Sequence, residues 1–513
     1  MALPPDTSAA PRETDPAGEG AAVPLLAATV IDVLGRHPAG EVEAALRNAL
    51  LLQVDRPTRL VTARGTTAAL DAILAHARAL RAASEPPAET GLAELETALA
   101  AASGGSAPAV REAEVLAWRT AWLLAKALGG PLADDTLLAR LELAVLADAD
   151  RFYQRLTPTD PSYATLGQAL EEYRALARAA PSERVVGRTA RWRSPGPGDT
   201  TDAVASLRAR LAEVGFPTTP ESDPRTFDAQ LRGAFLAFQG RFGLEQSGLP
   251  SLETLDALAV PLSERVGQIG AVLDHLRRSR ARLHPDRLMV NIPAFELRHF
   301  VGDRLDSFHR VVVGSIGYRA DESTGRAGRL NLTPTLESAV RALVLNPSWS
   351  VPQRIKENEL DRSAARDPDF YDGYDLWVDS RGVERARQRP GPRNALGRVK
   401  FVFDGGDGIY LHDTPLQRGF DKRVRTLSHG CVRVQEALAL AQRVMEVDGH
   451  PTPWARARAI LAGRRETELE LVRPLPIFIE YLGVGADQEG ALRFYPDVYG
   501  WGVVRGAEQP AAP

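Results

Sequence analysis

The hydrophobic period of this chain changes once, and that change limits its fold more than any other feature. From about Ala27 to Ala180 apolar residues recur at helical spacing, as in Val115, Trp118 and Trp122, or in the leucine-rich stretch from Thr136 to Leu156. Beyond about Leu283 they gather into short runs bounded by turn residues: Leu288–Ile292, Arg310–Val313, Ala342–Leu345, Val399–Phe403, Ile409–Leu411 and Ile477–Tyr481. Helices in one stretch and strands in another predict a multidomain α+β protein, with the two kinds of element segregated along the chain. The length of 513 residues agrees, since roughly 150 residues per domain gives three or four domains.

Breakers at Pro57, Pro86–Pro87, Gly104–Gly105, Gly129–Gly130 and Pro158 cut the first region into helices of ordinary length. Its tryptophans lie on the apolar stripe and read as core. Residues 1–22, rich in Pro, Ala, Gly and acids, read as a disordered tail, and 23–195 as a helical scaffold region. After the turn-rich linker Ser194–Thr200, residues 200–262 read as a module of three short helices, and 263–286 as a polar connecting helix. Residues 287–513 form the β-rich domain. Inside it, 352–392 holds polar residues and aromatics (Phe370, Tyr371, Tyr374, Trp377) without a clear long strand, and reads as a lid.

Composition narrows the function. Lys+Arg of 62 against Asp+Glu of 66 leaves a net charge of −4, with no chain-wide cationic field for nucleic acid. The most apolar stretch, Ala21–Leu34, is interrupted by Pro24 and Asp32, so no membrane span is expected. The first 20 residues lack the basic start and apolar centre of a secretory signal. Lysines occur only at Lys126, Lys356, Lys400 and Lys422, which reads as a genome bias toward arginine and carries no function.

The one cysteine, Cys431, excludes an intramolecular disulfide and lies in Ser428-His429-Gly430-Cys431-Val432-Arg433. A second histidine lies in Tyr410-Leu411-His412-Asp413-Thr414. A thiol nucleophile needs a base or cation to populate its thiolate, and an adjacent glycine lets backbone N–H groups approach an oxyanion. His412 ends a predicted strand, and two strand ends facing one cleft would bring it to Cys431. The other seven of the nine histidines sit in polar or loop contexts. Zinc held by His412, His429 and Cys431 is a competing reading, although these residues lack a familiar metal spacing.

These residues resemble the catalytic domain of the L,D-transpeptidases, whose signature is a histidine, a spacer and then Ser/Thr-His-Gly-Cys. Arg433 follows where the family often has Asn, as in its large Gram-negative branch with a helical scaffold and a capping lid. Val290-Asn291-Ile292-Pro293, the run from Leu345 to Pro352, the run from Pro390 to Gly397, and Tyr410 to Pro415 are similar to that branch as well. Residues 200–262, through Ala234-Phe235, Phe238-Gln239, Gly243-Leu244 and Ser247-Gly248, resemble the small peptidoglycan-binding module, with departures at Ser247 and Leu249-Pro250.

The resemblance implies a cysteine acyltransferase that cross-links peptidoglycan stem peptides, most simply between diaminopimelate residues, in the periplasm and without metal or cofactor. Cys431 would be the nucleophile and His412 the general base, oriented by the backbone carbonyl of Asp413. The backbone at Gly430 would help hold the oxyanion, and His429 would shape the site. Arg433, Tyr410, Asn346, Trp349 and Asn394 would meet substrate. The partners would be stem peptides and glycan. A different donor bond, stem trimming, D-amino-acid exchange and a noncatalytic wall-binding scaffold remain alternatives.

Overall fold

A computed structural model describes residues 25–36, 46–47, 49–51, 59–62, 65–84, 89–132, 141–179, 194–320, 327–404 and 408–505. The tail expected over 1–22 lies outside them. Contacts divide the chain into two compact units, residues 1–157 and 158–513.

The first unit is helical, as the periodicity predicts: Ala27–Arg36, Ala68–Ala82, Leu92–Ala102, Ala107–Gly129 and Leu141–Leu156. Trp118 and Trp122 are buried with Val110, Leu116 and Tyr153 in a single apolar core. One carboxylate sits inside it. Glu114 accepts hydrogen bonds from the backbone N–H groups of Arg59 (2.9 Å), Leu60 (2.9 Å) and Val61 (2.7 Å) and from the Trp118 indole (2.9 Å). Burial raises its pKa against these four donors.

In the second unit, the helix Pro161–Ala179, which the sequence groups with the scaffold, packs on the helix Leu262–Arg278 and the strand Val484–Ala486. The helix 262–278, read as polar from the sequence, buries Val266, Ile269, Val272, Leu273 and Leu276 along one stripe. The three-helix module appears as Asp202–Glu213, Ala229–Arg241 and Leu252–Ala259, each capped by a side-chain oxygen, from Thr201, Asp228 and Ser251. Buried Gln239 ties its loop, donating to Leu249 O (2.7 Å) and accepting from Gly248 N (2.9 Å). The module is braced against the C-terminal part of the chain: Phe242 stacks on Phe494 at 4.8 Å, and Arg265 lies over both rings. Arg423 adds a bond to Gly243 O and an ion pair with Glu253.

The main sheet of the β-rich domain runs along nine strands, with Val504–Arg505 added on the last of them: β1 Arg287–Asn291, β2 Glu296–Val301, β3 Arg304–Gly314, β4 Leu336–Leu345, β5 Val399–Phe403, β6 Leu411–His412, β7 Thr426–Ser428, β8 Val432–Val434 and β9 Thr467–Leu482. They are ordered β7-β3-β8-β6-β5-β4-β9-β1-β2, and β2 pairs again with β3, so the sheet closes on itself. Alternate residues such as Val290, Val313, Leu343, Phe401, Leu411 and Val432 face one core. The helices Ala437–Asp448 and Trp454–Ala462 contribute Leu440, Ala441, Val444 and Ala457 to it.

The excursion 352–392 is ordered and packs on a small core separate from that of the main sheet. A short helical run over 353–364 leads to two five-residue strands, Tyr374–Val378 and Glu384–Gln388, which pair antiparallel where no clear long strand is expected, and Trp349–Ser350 pairs on the second of them. Val351, Ile355, Leu360 and Ala386 form a separate small core with Phe370, Tyr371 and Tyr374 packed on it. Buried Lys356 is held by Asp361 (2.9 Å) and Glu384 (2.7 Å). Most of its aromatics therefore serve the excursion's own packing, while Trp377 is exposed on the hairpin.

Candidate active site

Strand register assembles the site. β6 and β8 are adjacent and parallel, with Leu411 opposite Val432 and His412 opposite Arg433. On the other side of β6, Lys400 of β5 lies opposite His412, and Phe401 opposite Leu411. Side chains alternate between faces, so the buried Leu411, Phe401 and Val432 turn to the core. Lys400, Tyr410, His412, Cys431 and Arg433 then share the other face. The cleft expected from two strand ends is thus made by neighbouring strands.

His412 is buried, and its Nδ1 lies 2.5 Å from the Asp413 carbonyl oxygen. A carbonyl only accepts, so Nδ1 carries the proton and Nε2 keeps its lone pair. Burial, with the positive charges of Arg433 and Lys400 nearby, pushes the pKa of this imidazole down to about 3. It is neutral at any ordinary pH. The Asp413 carboxylate turns away and accepts the Arg398 N–H at 2.8 Å. A Cβ on Gly397, whose φ is +63°, would collide with it, which explains the glycine there.

The Cys431 thiol, half-buried, donates to the Gly408 carbonyl at 3.5 Å. Burial raises its pKa, and the Tyr410 N–H and hydroxyl, Lys400 and Arg433 oppose that rise. Tyr410 links these groups. Its hydroxyl bonds to Cys431 and to Trp349, and the Lys400 ammonium stands 4.1 Å from its ring centroid. Lys400 is the site residue that the sequence did not reveal; the alternation in Val399-Lys400-Phe401 places it on the site face once the neighbouring strand is known.

The turn before Cys431 is tied by Ser428. Its hydroxyl donates to the Cys431 carbonyl (2.5 Å) and accepts the Gly430 N–H (3.1 Å). That second bond corrects an expectation: the Gly430 N–H is occupied and does not face a developing oxyanion. The Cys431 N–H, which has no acceptor among the described residues, is the available donor. His429 points elsewhere, to Glu359 of the excursion at 2.5 Å. Arg354 of the excursion bonds to the Asn331 side chain.

Two expected substrate contacts are otherwise engaged. Asn346 is buried, donates to Ile460 O (2.9 Å) and accepts from Arg398 Nε (3.1 Å). Asn394 is buried too, donating to Arg389 O (3.1 Å) and Gln388 O (3.3 Å) and accepting from Leu396 N (2.8 Å). Both amides are engaged by groups of the fold itself, backbone throughout for Asn394 and backbone plus the Arg398 side chain for Asn346. Arg433, in contrast, has a buried Nε without a partner among the described residues. Among the described residues no three His, Cys, Asp or Glu side chains form a group that could hold a metal ion, and no helix is long and apolar enough to cross a membrane.

Comparison with known proteins gives matches to two parts of the chain. Residues 285–456 match the family model of the L,D-transpeptidase catalytic domain, and residues 200–258 that of a putative peptidoglycan binding domain. A putative L,D-transpeptidase of Haemophilus influenzae is 28% identical over 249 residues, which cover 44% of this chain and 47% of that protein. The match thus spans about half the length of that relative. Crystal structures of L,D-transpeptidases from Xylanimonas cellulosilytica (16% identity, 57% of this chain and 100% of the other, TM-score 0.18) and Stackebrandtia nassauensis (14% identity, 56% and 94%, TM-score 0.20) are also similar.

Proposed function

We propose that this chain, with its match to an L,D-transpeptidase catalytic domain, cross-links peptidoglycan stem peptides through a thioester on Cys431. The observation that carries this reading is the shared strand face that holds Cys431, neutral His412, Lys400, Tyr410 and Arg433 inside the matched segment. A neutral imidazole with a free Nε2 has the lone pair to accept the thiol proton as the sulfur attacks, and the cations beside the sulfur favour the thiolate that results.

The steps balance as follows. The thiol proton passes to His412 Nε2, and the sulfur attacks the carbonyl at the L-centre of diaminopimelate. The oxygen becomes an oxyanion facing the Cys431 N–H. The carbon–nitrogen bond to D-alanine then breaks, His412 returns its proton to the leaving amine, and a thioester remains. An amine from a second stem attacks this thioester, His412 accepts a proton from it, and the sulfur leaves and regains its proton. Arg433, with its unpartnered Nε, is placed to receive a substrate carboxylate. The excursion 352–392 acts as a lid that shelters the thioester from water until the acceptor arrives. Peptidoglycan lies outside the cytoplasm, so the protein works in the periplasm, and the module at 200–258 helps keep it at the wall.

The linkage follows from muropeptide analysis of a deletion strain complemented with the native gene or with Cys431→Ala. Dimers joined between two diaminopimelate residues should return with the native gene alone. Their return with Cys431→Ala would end this reading, and dimers of another linkage would change the donor bond.

A further inference from the structure

We infer that Thr333, far from the signature in sequence, is a positioning residue that aims the Cys431 N–H at the oxyanion; this rests on the acyl-transfer reading above. Thr333 is fully buried between the end of β3 and the turn before Cys431. Its hydroxyl accepts the Gly314 N–H at 2.9 Å and donates to the Gly430 carbonyl at 2.7 Å. The directions are fixed, because an amide N–H only donates and a carbonyl only accepts. Its own N–H donates to the Tyr499 hydroxyl (3.3 Å), which in turn donates to Gly314 O (2.6 Å). Fully buried Tyr499 is anchored through its N–H on the Tyr481 hydroxyl (2.9 Å), and that hydroxyl donates to Asp497 at 2.5 Å.

The consequence comes from peptide geometry. The Gly430 carbonyl and the Cys431 N–H belong to one planar trans peptide and point in opposite directions. A carbonyl held inward by Thr333 therefore turns the Cys431 N–H outward, where the tetrahedral oxygen forms. The hold is needed because Gly430 has φ +119°, a conformation from which a glycine peptide flips at low cost. Since the Gly430 N–H is tied to Ser428, the Cys431 N–H has no substitute from that residue. Ser428 closes the turn from one side, and Thr333 sets the plane of the next peptide from the other.

Two reactions of the same thiol separate aiming from mere stability. Acylation by a carbapenem passes through an oxyanion; alkylation by iodoacetamide does not, and the single cysteine makes each adduct unambiguous in the intact mass. Thr333→Val keeps the shape and removes the hydroxyl. It should slow acylation by about 10- to 100-fold, somewhat less than the loss of a whole oxyanion donor, and leave alkylation at the native rate. Thr333→Ser should restore acylation. If Thr333→Val does not fold by circular dichroism, Tyr499→Phe replaces it and should show the same selective loss, smaller in size. Equal slowing of both reactions, or of neither, would overturn the role of Thr333. A native protein that is alkylated but never acylated would instead overturn the transpeptidase reading itself.

Discussion

The turn that carries Cys431 and the excursion 352–392 are built in opposite ways. The turn is held by polar bonds from distant parts of the chain: Ser428 within it, Thr333 behind it, and Tyr499 behind Thr333. Each of these side chains is buried, and each bond fixes an angle. The excursion has its own small apolar core and an ion pair on the buried Lys356, and meets neighbouring segments through polar groups, Glu359 on His429 and Arg354 on Asn331. Polar contacts at a surface part at low cost, whereas breaking a buried network leaves unpaired groups. The difference teaches that, on the proposed reading, reactivity and protection are separable: the turn would set the chemistry and the excursion how long the acyl group lasts.

The sharpest break in that comparison is at the base. His412→Ala should slow acylation by roughly 10²–10⁴, the span of a lost general base, and leave the lid undisturbed. Stopped-flow or timed intact-mass measurements with a carbapenem check it. An effect within a few-fold would move the base elsewhere.

Next in size is the charge beside the sulfur. With His412 pushed down to about 3 it does not titrate near neutrality, and with the thiol raised by burial the rate should climb with pH into the alkaline range. The sign follows from the reactive form: the thiolate fraction grows as pH rises toward the thiol's pKa. Lys400→Met removes a cation that favours the thiolate, so the thiol pKa should rise further and the climb should shift to higher pH. A pH profile of iodoacetamide alkylation reads this directly. A plateau already present at pH 6 to 7 would mean a preformed thiolate–imidazolium pair, contrary to the lowered imidazole and raised thiol.

The smallest effect on chemistry is expected from the lid. Replacement of Ser350–Pro390 by a short Gly/Ser linker should leave carbapenem acylation within a few-fold of native and shift products from cross-linked dimers toward hydrolysed stems. Chromatography of the products gives the ratio. A folded variant with an unchanged ratio would make the segment a surface feature without a protective role.

Much of this was legible in the sequence, and the rest was hidden for physical reasons. Short apolar runs bounded by turn residues located β1, β5 and parts of β3, β4 and β9, and the Ser-His-Gly-Cys motif with His412 pointed to the proposed chemistry. β2 escaped because Glu296, Arg298 and His299 interrupt its apolar residues, and the first half of β9 because Glu468, Glu470 and Arg473 read as solvated. The lid hairpin escaped because neither face of Tyr374–Val378 packs on the barrel core, so no alternation is imposed on it. Glu114 reads as a surface acid until three backbone N–H groups more than fifty residues away are seen to surround it. Asn346 and Asn394 lie in stretches similar to the family's, yet only the folded chain shows that their amides hold backbone. Thr333 and Tyr499 act across 97 and 166 residues, a separation no local pattern encodes.

The most direct test of the central claim is to find the acyl group. The purified protein, incubated with a tetrapeptide stem ending in diaminopimelate and D-alanine without acceptor and quenched in acid, should gain the mass of the stem minus D-alanine. Peptide mapping should place that mass on Cys431, and Cys431→Ser should gain none. Release of D-alanine by Cys431→Ser at the native rate, or an adduct on any other residue, would contradict the account.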